Sequence, residues 1–288
     1  MIECTESPTR ENKGKFVEGY REVFGAKVHY VQIGEGPPLI LVDGWLGNWE
    51  AFSRVLPTLA QAHRCTAIDL PGFGDSEPFP EERHTVETDS QAVVSLMDQL
   101  GIGKAGIIGD SFGALVALNL GANQSERFDW LVLQGTPQFP KIMRRIVKNI
   151  QVNHGSHVPT KLLGDVLGKP VLTGAYGLLN PEFVGLTDRE RTERVKRLAG
   201  SSPRVAWESF SDMVGFDLAG TASKVRKPTL VIEGARKTLI SSADTLRNIE
   251  GCRLEIIPGA SHTVLLKKPE EFARAVLEFS RSFAAETR

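Results

Sequence analysis

The sequence has few cysteines, no long apolar run and no leader of secretory type. Its three cysteines, Cys4, Cys65 and Cys252, are far apart and odd in number, so neither a disulfide framework nor a zinc site is predicted. No apolar stretch approaches the ~20 residues that a membrane span needs. Residues 1–15 are polar and charged and lack the apolar segment of a signal peptide. We therefore expect a cytoplasmic protein.

An excess of charge of one sign is also absent. Lys and Arg total 34, and Asp and Glu total 35. A chain so close to neutrality has no long-range field that would attract nucleic acid or an anionic membrane. We therefore expect neither of them as a partner, and no cofactor or metal is predicted.

What the sequence does have is a regular alternation of apolar strand-like runs with amphipathic helix-like segments. This alternation is typical of βαβ units and of a mostly parallel sheet with helices on both faces. The strand-like runs are Lys15–Phe24, Lys27–Ile33, Leu39–Val42, Cys65–Leu70, Ala105–Ile108, Trp130–Leu133, Pro228–Ile232 and Arg253–Ile257. The helix-like segments include Ala51–Leu59, Val86–Leu100, Ala114–Gly121, Ala243–Ile249 and Pro269–Phe283.

The alternation stops at residue 137 and resumes at Pro228. Between them the chain has no strongly apolar strand, but helix-like pieces separated by Gly and Pro. These pieces are Ile142–Ile150, Lys161–Leu167, Asp188–Leu198 and Val205–Val214. We therefore predict an α/β core made of residues 1–136 and 228–288, with residues 137–227 inserted after the sixth strand as a helical lid.

The strongest chemical signal is a G-x-S-x-G string at Gly109–Gly113. An apolar strand ends at this string and a helix begins from it, which is the setting of a nucleophile on a sharp strand-to-helix turn. The hydroxyl of Ser111 would project near a helix N-terminus, whose partial positive charge favours a developing anion. Ser111 is therefore the predicted nucleophile; the alternative is a tight Gly-rich turn in which Ser111 only caps the helix.

A serine hydroxyl needs a base and an oxyanion hole. His262 follows the last strand-like run, where the base of such a site is expected, so we predict it as the base and interpret the other five histidines as structural or solvated. One oxyanion donor would be the backbone N–H of Phe112, directly after the nucleophile. The other would be the N–H of Trp45, in the loop after the Leu39–Val42 run.

These motifs resemble those of the α/β-hydrolase fold superfamily, in the branch that contains epoxide hydrolases, haloalkane dehalogenases, C–C bond hydrolases and small esterases. The resemblance implies the α/β-hydrolase fold. Serine at position 111 argues against the dehalogenase and epoxide hydrolase subgroups, which carry Asp there. The motifs that carry the resemblance are Asp43–Trp45, Asp69–Ser76, Gly109–Gly113, Pro228–Gly234 and Pro258–His262.

Two departures from the family pattern concern the charges of the site. Lys237 stands where the resemblance implies the acid that orients the base, and the second family location, Gln134–Thr136, also lacks an acid. Asp43 stands where the family usually has His. Losing the acid from an otherwise intact site can cost about four orders of magnitude in rate.

We consider two carboxylates as compensation for the missing acid. Glu233, at the end of the strand-like run before Gly234, is a candidate displaced acid; the alternative is an outward-facing residue paired with Arg236 or Lys237. Asp43 is a candidate general acid or base; the alternative is a structural carboxylate that caps nearby backbone N–H groups.

The leading functional hypothesis is a serine hydrolase acting on a small or medium hydrophobic ester, thioester or activated C–C bond. The substrate class follows from the predicted lid, whose apolar side chains include Phe139, Trp207 and Phe210, because such side chains favour an apolar pocket. One alternative is a non-hydrolytic enzyme, a lyase or cyclase, that uses Asp43, Ser111 and His262 for acid–base chemistry. Another is a ligand-binding protein without turnover, and the oligomeric state is left open.

Overall fold

The computed structural model describes residues 16–154, 202–236, 238 and 240–284. Its centre is an eight-stranded sheet in the order β1-β2-β4-β3-β5-β6-β7-β8. The strands are β1 Val17–Val23, β2 Ala26–Ile33, β3 Pro38–Val42, β4 Arg64–Ile68, β5 Ala105–Asp110, β6 Phe128–Gln134, β7 Thr229–Gly234 and β8 Arg253–Ile257. Only β1–β2 and β2–β4 pair antiparallel; the other pairs are parallel.

Helices lie on both faces of this sheet. They are α1 Leu56–Leu59, α2 Val86–Gln99, α3 Phe112–Asn123, α4 Lys141–His154, α5 Pro203–Gly215, α6 Leu218–Ala222, α7 Ala243–Leu246, α8 Val264–Lys267 and α9 Pro269–Ala284. Two 3-10 turns, Trp49–Phe52 and Ser125–Arg127, complete the described elements. The predicted α/β-hydrolase fold is confirmed.

The central strands are apolar along their whole length because both of their faces are covered. In β3, Ile40 and Val42 belong to one apolar cluster and Leu39 and Leu41 to the other, and all four are fully buried. Side chains alternate between the faces of a strand, so a strand covered on both sides needs apolar residues at every position. This explains the continuous apolar runs of the sequence.

One predicted helix, Ala51–Leu59, is broken into two pieces. The chain forms the 3-10 turn Trp49–Phe52 and then the single turn α1. Pro57 lies in the first turn of α1; it has no N–H to donate to the preceding turn, and its ring clashes with a helix running through it. The predicted continuous helix is therefore wrong at this point.

The described part of the predicted lid is helical. Between β6 and β7 it contains α4, α5 and α6, and no strand occurs there in the residues that the structure describes. The helices predicted at Lys161–Leu167 and Asp188–Leu198 lie outside the described residues. Among the described helices, none is long and apolar enough to cross a membrane.

Candidate active site

Ser111 lies at the sharp turn between β5 and α3. Its backbone has φ 51° and ψ −112°, a left-handed conformation that costs an L-residue about 1–3 kcal/mol. The Ser111 N–H donates to the carbonyl of Gln134 over 2.8 Å, which ties the turn to the neighbouring strand. The strained turn lifts the side chain above the end of the sheet, as predicted for a nucleophile elbow.

The two glycines of the G-x-S-x-G string are required by packing. A Cβ on Gly109 would overlap the carbonyl oxygen of Gly113, and a Cβ on Gly113 would overlap the carbonyl oxygen of Val42. Neither glycine has a positive φ, so the reason is space and not backbone conformation. Both positions therefore need glycine because α3 lies very close to the strands beneath it.

The structure brings His262 to Ser111, 151 residues earlier in the chain. His262 Nε2 lies 3.0 Å from Ser111 Oγ, and the histidine is buried. The side-chain amide of Gln134, at the end of β6, donates to the His262 carbonyl over 2.5 Å. The loop that carries the imidazole is thus anchored to the sheet, and the imidazole is within reach of the Ser111 proton.

The two predicted oxyanion donors lie on either side of the elbow. Phe112 is the first residue of α3. The loop of Trp45 approaches the nucleophile closely, because a Cβ on Gly44 would lie 3.6 Å from Ser111 Oγ. Neither the Trp45 nor the Phe112 backbone N–H donates a hydrogen bond to another of the described residues. Both are therefore available to an oxygen bound above Ser111.

Glu233, the candidate displaced acid, is buried near the end of β7. Its Oε2 accepts a 3.4 Å hydrogen bond from the hydroxyl of Ser241, and its Oε1 has no partner among the described residues. Burial raises the pKa of Glu233 to about 7, although Ser241 and the backbone of Ser242 oppose the shift. The hydrogen bond that Glu233 makes in the described structure goes to Ser241 and not to His262, so its role as a displaced acid remains a prediction. Its burial does not fit the alternative of an outward-facing residue, and Lys237 lies outside the described residues.

Asp43 has a structural contact. Its Oδ2 accepts a 3.0 Å hydrogen bond from the backbone N–H of Asn48, and the carboxylate is buried. A side chain on Gly47 would collide with this carboxylate. This contact corresponds to the structural capping role that was the alternative for Asp43. A role of Asp43 as an acid or base remains a prediction.

One group of the described residues has potential metal ligands close together. These are Glu18, His29 and Asp75, whose ligand atoms lie within 4.8 Å of one another. Both ring nitrogens of His29 are already hydrogen-bonded at 2.9 Å, Nδ1 to Asp69 and Nε2 to Glu18. Asp69 also accepts the N–H groups of Trp49 and Asp75. The group therefore acts as a structural network that orders the loop after β4.

Sequence reasoning missed the contact between the lid and the oxyanion loop. The indole N–H of Trp45 donates to the hydroxyl of Ser209 on α5 over 2.9 Å. The Trp45 ring also packs against Phe210, with 5.4 Å between ring centroids, and Phe210 contacts Phe139 at 6.0 Å. Local patterns mark Phe139 and Phe210 only as apolar lid residues, and no signal in the sequence marks Ser209.

Comparisons with known proteins agree with this architecture. A family model described as "alpha/beta hydrolase fold" matches residues 37–269. The 2-hydroxy-6-oxo-6-(2'-aminophenyl)hexa-2,4-dienoic acid hydrolase of Metapseudomonas resinovorans is 26% identical over 294 residues, covering 97% of this chain and 96% of that protein. Bifunctional epoxide hydrolase 2 of Mus musculus is 35% identical over 118 residues, which are 40% of this chain and 21% of that protein. The chain thus spans about a fifth of that relative.

Similarity to solved structures extends over nearly the whole chain. A hydrolase from Pseudomonas aeruginosa PA01 superimposes with a TM-score of 0.76 at 22% identity, covering 91% of this chain and 97% of that one. At this level of identity the likeness concerns the fold alone.

Proposed function

This chain belongs to the alpha/beta hydrolase fold family, and we propose that it is a serine hydrolase with Ser111 as nucleophile and His262 as general base. The observation that carries the proposal is the 3.0 Å approach of His262 Nε2 to Ser111 Oγ on a strained elbow. A hydroxyl at this distance can pass its proton to the imidazole as it attacks.

The proposed reaction has two halves. The Oγ of Ser111 bonds to the substrate carbonyl carbon while His262 Nε2 takes the hydroxyl proton, and the backbone N–H groups of Trp45 and Phe112 stabilise the oxyanion. The imidazolium then gives its proton to the leaving group, and the bond to that group breaks. In the second half, water gives a proton to His262 as its oxygen bonds to the acyl carbon. The bond from that carbon to Ser111 Oγ then breaks, the imidazolium returns its proton to Oγ, and the acid leaves.

We propose a small or medium hydrophobic substrate with an ester, thioester or activated C–C bond. Support comes from the aromatic side chains of Trp45, Phe139 and Phe210, which pack together beside the oxyanion loop. Support also comes from the dienoic acid hydrolase relative, which aligns over nearly its full length. Nucleic acid, membrane and cofactor are not part of the proposal, and the proposed location is the cytoplasm.

Glu233 is the proposed substitute for the missing acid. Because the pKa of Glu233 is about 7, its side chain is negatively charged in most of the protein molecules above neutral pH. Gly234, the next residue, packs closely against the loop that carries His262, since a Cβ on Gly234 would overlap the backbone of Ala260 and Ser261. A carboxylate at this strand end would favour the imidazolium by charge, even without a direct hydrogen bond.

The test is intact-mass labelling with a fluorophosphonate probe. We expect rapid labelling of one site in the wild type, loss of labelling in Ser111→Ala and His262→Ala, and unchanged labelling in Ser53→Ala, which alters an exposed serine. A folded wild-type protein that stays unlabelled would refute the activated serine. In that case product analysis with Asp43→Asn would show whether the chemistry depends on Asp43.

A further inference from the structure

We infer that Ser209, on the lid helix α5, is a positioning residue for the oxyanion hole, because it holds the side chain of Trp45. This inference rests on the proposed function and extends it. It makes α5 a part of the catalytic apparatus, although no residue of α5 needs to touch the reacting atoms. The oxyanion donor on Trp45 is then in place only when α5 is seated on the core.

The hydrogen bonds of the Ser209 hydroxyl define its orientation. Its proton goes to the carbonyl of Val205, one turn earlier in α5, over 2.6 Å. Its lone pair is therefore left to accept the indole N–H of Trp45 over 2.9 Å. Both side chains are buried, with Ser209 at 0% and Trp45 at 7% exposure. A buried indole N–H that lost this acceptor would be left unpaired, which is unfavourable.

The helix that carries Ser209 is itself anchored to the core. Glu208 Oε2 accepts the backbone N–H of His84 over 3.0 Å, and Asp212 Oδ2 accepts the backbone N–H of Val86 over 2.8 Å. The two acids are four residues apart, so they lie on one face of α5. They bind the chain where α2 begins, which fixes the position of Ser209 relative to the sheet.

Trp45 lies in a tight turn, and the backbone of this turn carries the proposed oxyanion donor. The Gly47 N–H donates to the Gly44 carbonyl over 3.0 Å, closing a tight turn, and Leu46 has a left-handed backbone with φ 54°. Trp45 lies inside this turn, and the bond from its indole to Ser209 ties the turn to α5. Without that bond the turn keeps its own backbone hydrogen bond but loses its connection to α5, and on this inference the Trp45 N–H then shifts relative to Ser111.

The experiment compares two buried serines of α5. In Ser209→Ala we expect kcat for p-nitrophenyl butyrate and the second-order rate of fluorophosphonate labelling to fall about 10-fold, the effect of about 1.4 kcal/mol. The KM of Ser209→Ala should stay unchanged, because no residue of α5 needs to touch the reacting atoms. Its pH profile should also stay unchanged, because His262 is not altered. Ser211→Ala is the matched control: its hydroxyl is buried and donates to the carbonyl of Glu208 over 3.0 Å, and its rates should equal those of the wild type.

Trp45→Phe tests the same bond from the other side. Phe keeps an aromatic ring and the backbone N–H but removes the indole donor, so the variant should resemble Ser209→Ala. The double variant should be no slower than either single one, because the two changes remove one interaction. Additive losses would overturn the inference, and so would a Ser209→Ala enzyme as fast as Ser211→Ala. If the wild type labels normally in that case, only this inference fails; if the folded wild type does not label at all, the proposed function fails with it.

Discussion

The elbow that carries Ser111 and the strand ends near His262 lie at the same edge of the sheet, but the N–H and hydroxyl of Ser111 and the side chains at those strand ends are satisfied differently. At the elbow, the Ser111 N–H and hydroxyl both have partners, Gln134 and His262. At the strand ends near His262, Gln134 Oε1, Thr136 Oγ1 and Glu233 Oε1 are buried without a hydrogen-bond partner among the described residues. Each such group costs about 1–3 kcal/mol.

This difference shows which half of the site follows the family pattern. The nucleophile half has the small neighbours, the strained backbone and the available N–H groups that acyl transfer requires. The half that should orient the base has lost its acid at both family positions and contains unsatisfied polar atoms instead. Because the acid is missing at both family positions, this half is where the chemistry of the chain is expected to be unusual.

The largest expected effect tests whether Glu233 supplies the missing charge. Glu233→Gln should lower kcat about 10²- to 10⁴-fold, because the imidazolium would lose its compensating carboxylate. The measurement is turnover of p-nitrophenyl butyrate at pH 8. Glu255→Gln, on the adjacent strand and 3.5 Å from Arg253, is the control. A fully active Glu233→Gln would assign this residue a structural role.

The elbow should be intolerant of any side chain on its glycines. Gly109→Ala would force a Cβ into the backbone of Gly113, and we expect it to lower the free energy of unfolding by about 3 kcal/mol or more. Urea denaturation measures this change. Gly103→Ala, two residues before β5 begins, is the control because nothing lies within 4 Å of its added Cβ. Equal stabilities of the two variants would contradict the packing argument.

The pH dependence of stability should differ between wild type and Glu233→Gln. Burial raises the pKa of Glu233 from 4.5 to about 7, so the folded protein holds this proton more tightly than the unfolded chain does. The resulting stability is present below about pH 4.5 and is lost as the pH rises through about 7, by about 3 kcal/mol. Thermal melts from pH 5 to 8 should show this loss in the wild type only; parallel curves would exclude the raised pKa.

The smallest effect concerns the anchor of the base. Gln134→Leu removes the hydrogen bond to the His262 carbonyl but also removes the unpaired Oε1, so the two effects on stability oppose each other. We expect kcat to fall about 10-fold, with stability changed by less than about 1 kcal/mol. Gln32→Leu, which breaks a 2.9 Å bond to Thr66 in a different part of the sheet, should leave kcat unchanged. An unchanged kcat in Gln134→Leu would show that the loop needs no anchor.

The nucleophile elbow and the order of strands and helices were determined by the sequence itself. An elbow is local: an apolar strand, two glycines around Ser111 and a helix within a dozen residues are enough to specify it. The strand at Arg253–Ile257 was likewise predicted with its observed bounds, because its apolar residues lie between turn residues. The break in the helix predicted at Ala51–Leu59 does not show in the apolar spacing, which continues through Pro57; the missing N–H and the ring of this proline interrupt the helix.

Only the tertiary structure decided what surrounds the elbow. Ser209 and Trp45 are 164 residues apart, and their contact depends on how α5 is seated by Glu208 and Asp212, which no local pattern encodes. The same holds for Glu233, whose pKa is raised by its burial in the folded protein. Local sequence specifies backbone conformation, whereas burial and side-chain pairing arise only when distant elements pack together.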